Sequence, residues 1–177
     1  MTSPDATPRV QLATLCYVKH AGRTLMLHRN RRPNDFHQGK WNGLGGKFEA
    51  GETPEQCVIR ELEEESGLRL HAPELRGVLT FPRFKDGVDW YVFVYVARQF
   101  DGELKTDIPE GELAWIPDDQ LLKLNLWEGD WRFLEWLEQG RFFSGTFTYV
   151  NGRVVAWDVT FHPPPAPAAS LRGSSQL

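Results

Sequence analysis

Three glutamates in the first half of the chain, Glu61, Glu64 and Glu65, have the spacing of neighbouring side chains on one helix face. Residues three or four positions apart in a helix have Cβ atoms only about 5–6 Å from each other. Like charges at this spacing destabilise a helix, and its C-terminal half disfavours anions further. Because carboxylate oxygens are the ligands that Mg²⁺ and Mn²⁺ prefer, the pattern predicts a divalent cation at this face.

The sequence around these glutamates predicts a helix with two well-defined ends. Thr53 suits the N-cap, Pro54 suits the first helical position, and Gln56 completes a capping box. Gly67 suits the left-handed residue that follows a helix C-terminus. An apolar stripe runs beside the acidic face and comprises Val58, Ile59 and Leu62. The glutamates are therefore expected at the edge of the buried side of an amphipathic helix.

A solvated acidic helix is the alternative interpretation, with Arg60 pairing with Glu64 one turn later. The segment before the helix favours the metal site instead. Residues 40–47 (KWNGLGGK) contain three glycines, which permit positive φ angles and a close approach of the backbone to a ligand. A glycine-rich loop that leads into an acidic helix can present carbonyl and carboxylate oxygens to one metal ion.

Residues 46–68 as a whole resemble the Nudix box, the signature segment of the Nudix hydrolase family. The fixed positions of that box are all filled: Gly46, then Glu52, then Arg60-Glu61-Leu62-x-Glu64-Glu65-x-Gly67-Leu68. The resemblance implies an α/β fold, specifically a Nudix-type α/β/α sandwich with a mixed β-sheet. It also implies Mg²⁺-dependent cleavage of nucleoside diphosphates linked to another moiety, with Mn²⁺ as the substitute ion.

The resemblance also implies a set of metal ligands, which are Glu61, Glu64, Glu65, the carbonyl of Gly46, and Glu110. Glu110 is included because it lies five residues before Trp115 in a short predicted strand. Glu52 and Arg60 are expected to pair with each other and to hold the loop to the helix. The three helix glutamates are the candidate catalytic residues, and which of them is the general base stays open.

Segments outside the box are similar to bacterial 8-oxo-dGTP diphosphatases of the MutT/MutX type and, more distantly, to the human oxidised-purine triphosphatase. The similarity covers about residues 10–162 and includes WNGLGGK at residues 41–47 and LWEGDW at residues 126–131. These two segments are more specific than the Nudix box. The resemblance therefore implies a purine nucleotide as the substrate.

The resemblance places Asn42 and Asp130 in contact with the base, with Trp127 stacking or packing there. The human protein has two adjacent aspartates after this tryptophan. The corresponding residues here are Gly129 and Asp130, so only one acidic side chain carries over. How the oxidised edge of the base is recognised is left open by this difference.

The densest positive patch of the chain is the run of arginines at Arg29, Arg31 and Arg32. A solvated basic loop is one interpretation, and contact with substrate phosphates is the other, because arginine binds phosphate through paired hydrogen bonds. Arg32 is the candidate phosphate contact. Phe36 in the same loop is a candidate for stacking on the base, since flat rings near a nucleotide site can do so.

The composition indicates one globular domain at residues 10–162, with a flexible N-terminus at 1–9 and a disordered Pro/Ser-rich tail at 163–177. A net charge of −4 argues against binding of nucleic-acid polymers, so a small nucleotide is the expected partner. No apolar run has the length of a membrane span or a secretory signal, and a cytoplasmic protein without membrane association is expected. Cys16 and Cys57 are expected to be core thiols.

Alternating and continuous apolar runs predict the remaining elements. The predicted strands are Leu12–Val18, Thr24–Arg29, Gly77–Phe84, Trp90–Phe100, Leu113–Ile116, Phe142–Val150 and Arg153–His162. The first two form a predicted hairpin, and Trp90–Phe100 is expected to be a central strand. Asn151-Gly152 predicts a type I′ turn. A helix is expected at Trp127–Gln139, with Trp131, Leu134 and Leu137 on one face.

The function that these patterns favour is hydrolysis of 8-oxo-dGTP to 8-oxo-dGMP and pyrophosphate, which removes a mutagenic nucleotide from the precursor pool. The oxidised ring carries a donor at N7 where guanine has an acceptor, so one acceptor in the pocket, such as Asp130, could select it. The alternative is a Nudix pyrophosphatase for a pyrimidine nucleotide, a dinucleoside polyphosphate or a nucleotide sugar. A nucleotide sensor without catalysis is a third interpretation. The oligomeric state is left open.

Overall fold

The computed structural model describes residues 9–163. Its strands are β1 (Val10–His20), β2 (Arg23–His28), β3 (Trp41–Asn42), β4 (Arg69–His71), β5 (Glu74–Lys85), β6 (Val88–Ala97), β7 (Gln99–Asp101), β8 (Glu112–Pro117), β9 (Phe143–Val150) and β10 (Arg153–Phe161). Its helices are α1 (Pro54–Ser66), a 3-10 helix (Asp118–Lys123) and α2 (Glu128–Glu138). The predictions for the two termini concern residues outside the described range, apart from Arg9 and Pro163.

A mixed eight-stranded sheet forms the centre of the molecule. Seven strands follow the order β10-β9-β5-β6-β1-β2-β3, and β8 pairs with β2. The β1–β6 and β5–β9 pairs are parallel, and the other pairs of this sheet are antiparallel. Strand β6 lies between β5 and β1, which confirms the predicted central strand, although it ends at Ala97 and the next residues form β7.

Two hydrophobic cores lie on opposite faces of this sheet. The α1 core contains Cys16, Val18, Val58, Leu62 and Tyr95. The α2 core contains Tyr17, Met26, Phe133, Trp136 and Phe147. Because successive β1 side chains point to opposite faces, Cys16 enters the first core and Tyr17 the second. The predicted α/β/α sandwich is thereby confirmed.

The predicted local turn and cap chemistry is present. Thr53 and Gln56 exchange the two hydrogen bonds of a capping box at the start of α1. Gly67 ends α1 with a φ of 80°. The β9–β10 turn has positive φ at both Asn151 and Gly152, as a type I′ turn requires. These short-range patterns therefore fix where α1 and the last hairpin begin and end.

The face of α2 that is buried differs from the expected one. Leu134 and Leu137 are buried as expected, whereas Trp131 is 42% exposed. Phe133 and Trp136 fill the core instead. A helix turns by about 100° per residue, so a residue six positions from Leu137 lies far around the helix from it. The expected face was therefore wrong at Trp131.

Both cysteines are free and buried, as expected of core thiols. Within residues 9–163, no helix has the length and apolar character needed to cross a membrane.

Candidate active site

An arginine on α1 holds the glycine-rich loop to the helix. Arg60 Nε lies 2.6 Å from Glu52 Oε1, and Arg60 Nη2 lies 2.9 Å from Glu52 Oε2. The same Nη2 donates to the carbonyl oxygen of Lys47 at 3.1 Å. Hydrogen bonds from Arg60, joined by one from the Glu49 N–H, lower the pKa of Glu52 to about 2. The structure thus places the predicted Glu52–Arg60 pair in direct contact.

Arg60 also reaches two of the predicted metal ligands. Its Nη1 lies 2.9 Å from Glu61 Oε1 and 3.2 Å from Glu64 Oε2. Burial raises the pKa of Glu61, and the charges of Glu64 and Glu52 add to that rise. One guanidinium is therefore shared among three carboxylates, which leaves net negative charge at this face of α1.

Glu65 has little positive charge around it. Its Oε2 accepts a 2.9 Å hydrogen bond from the Gly45 N–H. Burial raises the pKa of this carboxyl to about 7, and the negative charges of Glu61 and Glu110 act in the same direction. The three glutamates thus form an acidic, partly buried cluster of hard oxygen donors.

This donor set fits a divalent cation. Mg²⁺ and Mn²⁺ prefer carboxylate and carbonyl oxygens, and a 2+ charge would offset the crowded negative charge at the cluster. Among residues 9–163, no three acidic, histidine or cysteine side chains converge on one point. Arg60 and the Gly45 N–H hold the α1 carboxylates, so binding of a cation would require side chains to exchange these partners.

Gly46 lies directly against the acidic cluster. A Cβ atom at this position would overlap the carboxyl group of Glu61, so a larger residue would displace that carboxyl from its present position. The Gly46 carbonyl accepts a 2.8 Å hydrogen bond from the Thr14 N–H of β1. It also accepts a weaker 3.8 Å bond from the Cys57 thiol, so a role for this carbonyl as a metal ligand would displace that thiol.

The predicted ligand Glu110 lies opposite the basic loop. Its Oε1 is 2.7 Å from Nη2 of Arg32. Arg31 pairs with Asp107 in the same segment, and Arg29 pairs with Asp35 at 2.6 Å. The arginines are therefore ion-paired rather than simply solvated. Of these three, Arg29 and Arg32 line the adjoining cleft.

A cleft of about 590 Å³ adjoins the acidic cluster. Gly45 and Gly46, which contact the glutamates, form part of its wall. Its aromatic lining comprises Phe36, Phe81, Phe84, Trp90, Trp127, Phe133 and Tyr149. Asn42 and Asp130 are the polar residues predicted to contact the base, and both line this cleft. The structure thus brings Arg32, Asn42 and Asp130 to one cleft, whose wall touches the acidic cluster through Gly45 and Gly46, while the glutamate side chains do not line it.

Trp127 is held in place from several directions. The ring of Phe36 stacks on it with 5.2 Å between centroids and 20° between planes. Trp127 Nε1 donates to Nδ1 of His37 at 2.9 Å, and the Lys40 ammonium lies 5.3 Å from the Trp127 ring centroid. Burial lowers the pKa of His37 to about 4, so the ring is neutral and can accept this bond.

Asn42 and Asp130 supply polar groups to an otherwise aromatic cleft. Asn42 Nδ2 is buried and has no hydrogen-bond partner in the described part of the chain. Burial raises the pKa of Asp130 to about 8, against a lowering effect of Lys40. At neutral pH the carboxyl is mostly protonated, so it can donate as well as accept a hydrogen bond.

Several cleft residues were not foreseen from the sequence, namely His37, Phe81, Phe84 and Tyr149. They come from the loop after β2, from β5 and from β9, and they carry no motif. The aromatic pair in FPRF at residues 81–84 was the one local pattern that could have indicated them.

Comparison with known proteins identifies the family of the chain. A protein-family model described as the NUDIX domain matches residues 9–137. The Nudix hydrolase YvcI of Bacillus subtilis (strain 168), which is described as uncharacterized, is 34% identical over 145 residues, covering 79% of this chain and 87% of that protein. The oxidized purine nucleoside triphosphate hydrolase of Danio rerio is 32% identical over 145 residues, covering 82% and 90%. Among solved structures, the MutT protein from Bacillus halodurans has a TM-score of 0.76 at 32% identity, covering 84% and 97%.

Proposed function

Because the chain belongs to the Nudix hydrolase family, whose members act on small nucleotides, we propose that it hydrolyses 8-oxo-dGTP to 8-oxo-dGMP and pyrophosphate. The observation that carries the proposal is the aromatic cleft with the unpartnered Asn42 amide and the Asp130 carboxyl, which opens beside the acidic cluster. The similarity to the zebrafish oxidized purine nucleoside triphosphate hydrolase supports a purine substrate. In this role the enzyme clears oxidised precursors from the cytoplasmic nucleotide pool.

Nudix enzymes generally use divalent metal ions, and Mg²⁺ is the proposed cofactor here, with Mn²⁺ as its substitute. The residues that would hold it are Glu61, Glu64, Glu65, the carbonyl of Gly46, and Glu110. A bound divalent ion would polarise phosphate oxygens and lower the pKa of coordinated water.

The chain's own groups have separable roles in the proposed reaction. Arg60 and Glu52 keep the glycine-rich loop against α1, so that the carboxylates keep their positions relative to the cleft wall. Arg32 binds a substrate phosphate after exchanging its partner Glu110. Glu61 or Glu65 accepts the proton of the attacking water as general base. Attack at the β-phosphorus releases the monophosphate and pyrophosphate.

The base end of the cleft provides selectivity. Trp127 and Phe36 offer flat faces, and base–aromatic stacking is worth about 1–3 kcal/mol per base. The Asn42 amide donates to the base. The Asp130 carboxyl accepts from the N7–H that 8-oxoguanine has and guanine lacks. A normal guanine has no N7–H to donate, so it can pair with Asp130 only while that carboxyl is protonated, which disfavours it.

A substrate panel distinguishes this proposal from other Nudix activities. Nucleotide products and pyrophosphate are both measured with Mg²⁺ for 8-oxo-dGTP, dCTP, a diadenosine polyphosphate and a nucleotide sugar, since the last two release nucleotides without pyrophosphate. The highest kcat/KM on 8-oxo-dGTP, with pyrophosphate as the product, supports the proposal. A higher kcat/KM on any other member would overturn the substrate assignment while leaving the family chemistry intact. No turnover of any member, with or without a metal ion, would indicate a nucleotide sensor.

A further inference from the structure

The space beside Gly129, which has no side chain, is occupied by a residue from a different element. Gly129 is buried in the first turn of α2, and its N–H donates to the hydroxyl of Tyr149 on β9 at 2.8 Å. A Cβ atom built at Gly129 would lie 2.8 Å from this hydroxyl and 3.2 Å from the ring of Phe147. The Tyr149 hydroxyl therefore occupies the space that a side chain at position 129 would need.

The ring of Tyr149 is fixed within the aromatic cleft. It meets Trp127 edge to face at 6.0 Å and 88°, and it meets Phe84 edge to face at 5.4 Å and 74°. Tyr149 lines the same cleft as Asp130 and Asn42. Its ring is thus fixed in the cleft wall, and its hydroxyl lies at the start of α2 against Gly129, the residue before Asp130.

The hydrogen-bonding capacity of this hydroxyl is half used. One lone pair accepts the Gly129 N–H, and within residues 9–163 the hydroxyl proton is donated to no other group. Burial raises the pKa of Tyr149 well above its usual range, and the charge of Asp130 acts in the same direction. The phenol therefore keeps its proton at physiological pH, and its free capacity is that of a donor.

We infer that Tyr149 is a specificity-determining residue whose hydroxyl donates a hydrogen bond to a carbonyl oxygen of the substrate base. The inference rests on the proposed function in that it takes the cleft to be the base site. Unlike the Asp130 carboxyl, which can donate or accept, Tyr149 only donates towards the cleft. It therefore favours bases with a carbonyl at position 6 or 8 of the purine over a base with neither.

Binding of four nucleoside monophosphates without metal tests the inference apart from catalysis. They are 8-oxo-dGMP with both carbonyls, dGMP with the 6-carbonyl, 8-oxo-dAMP with the 8-carbonyl, and dAMP with neither. In Tyr149→Phe, calorimetry should show about tenfold weaker binding of 8-oxo-dGMP and of one single-carbonyl nucleotide, the scale of one neutral hydrogen bond. Binding of dAMP should be unchanged. Equal weakening of all four, or of none, would overturn the inference.

Tyr91→Phe is the matched control, since Tyr91 is an exposed tyrosine of β6 and does not line the cleft. It removes the same atom and should leave all four affinities at the wild-type values. A change in Tyr91→Phe equal to that in Tyr149→Phe would show that the effect is not local to the cleft and would likewise overturn the inference.

A second pair of variants tests whether the Tyr149 hydroxyl occupies the space that a side chain at position 129 would need. Gly129→Ala should displace the hydroxyl and give the same binding pattern as Tyr149→Phe. The double variant Gly129→Ala/Tyr149→Phe should bind no more weakly than Tyr149→Phe alone, because the hydroxyl is already gone. If the losses of affinity in the two single variants add up in the double variant, a side chain at position 129 and the Tyr149 hydroxyl do not compete for the same space. Thermal unfolding of each variant checks that the fold is retained.

The outcomes for the inference and for the proposed function are distinguishable. If wild-type protein fails to prefer 8-oxo-dGTP in turnover, the proposed function fails. If it prefers 8-oxo-dGTP but Tyr149→Phe leaves the four affinities unchanged, the inference about Tyr149 fails alone.

Discussion

The acidic cluster on α1 and the aromatic cleft adjoin each other but are assembled in opposite ways. The three carboxylates of the cluster come from one short helix, where Arg60 contacts Glu61 and Glu64. The cleft is lined by residues from several strands, two loops and the start of α2. The cluster can therefore serve the same phosphate chemistry with different substrates, whereas the cleft can change its specificity by single substitutions such as those at Gly129 and Tyr149.

The largest expected effect comes from removing the proposed general base. Glu61→Gln and Glu65→Gln each remove a carboxylate, and loss of a general base lowers kcat by about 10²–10⁴-fold. Because both side chains are also proposed metal ligands, kcat is measured at saturating Mg²⁺, where the variant with the greater loss identifies the base. The ratio of kcat/KM for 8-oxo-dGTP over dGTP should stay unchanged in both. Glu63→Gln on the exposed side of α1 is the control and should keep full activity. Wild-type kcat in both cluster variants would refute the assignment.

A smaller effect is expected at the base end of the site. Trp127→Ala removes the stacking surface, so 8-oxo-dGMP should bind about 1–3 kcal/mol more weakly, which is roughly 5- to 150-fold. The expected change in kcat is minor, because the acidic cluster stays intact. Trp131→Ala, four residues further along the chain and 42% exposed, is the matched control and should bind normally. Equal weakening in both variants would argue against base stacking on Trp127.

Asp130→Asn should change discrimination more than rate. The amide keeps the shape of the side chain but cannot ionise to a carboxylate, the stronger acceptor for N7–H, so preference for 8-oxo-dGTP over dGTP should fall by about tenfold. The measurement is the ratio of kcat/KM for the two nucleotides. An unchanged ratio removes Asp130 from recognition of the oxidised edge.

The same variant should alter how stability depends on pH. Asp130 has a pKa of about 8 in the folded protein against 3.8 in the unfolded reference, so the folded state holds more protons in between. Its contribution to the free energy of unfolding is therefore full below about pH 3.8 and is lost as pH rises towards 8. Denaturant unfolding from pH 5 to pH 9 should show a flatter profile in Asp130→Asn. Parallel profiles would contradict the raised pKa.

The smallest effect concerns the pair that holds the loop to α1. Glu52 has a pKa of about 2 against 4.5 unfolded, so its stabilising contribution is present above about pH 4.5 and is lost as pH falls towards 2. In Arg60→Met, the free energy of unfolding should fall less between pH 4.5 and pH 2 than in the wild-type protein, as measured by denaturant unfolding. Arg69→Met, an exposed residue of β4, is the control. An acid profile in Arg60→Met identical to that of wild type would show that the pair contributes nothing to stability.

The two regions also differ in how far the sequence predicts them. The acidic cluster depends on spacing within one helix and on its capping residues, which are local, and the structure places Thr53, Gly67 and Glu52 as expected. The cleft depends on tertiary packing between distant elements. Its residues Asn42, Trp127 and Asp130 were indicated by resemblance alone. His37 and Tyr149 were not indicated at all, because their roles arise from contacts 90 and 20 residues away along the chain.

The measurement that tests the whole account most directly is the ratio of kcat/KM for 8-oxo-dGTP over dGTP in the wild-type enzyme with Mg²⁺. The two nucleotides differ at the oxidised edge alone, so their phosphate chemistry at the acidic cluster is the same. An aromatic cleft that recognises the oxidised base predicts a ratio of about one hundred or more. A ratio near one, or a preference for dGTP, would contradict it.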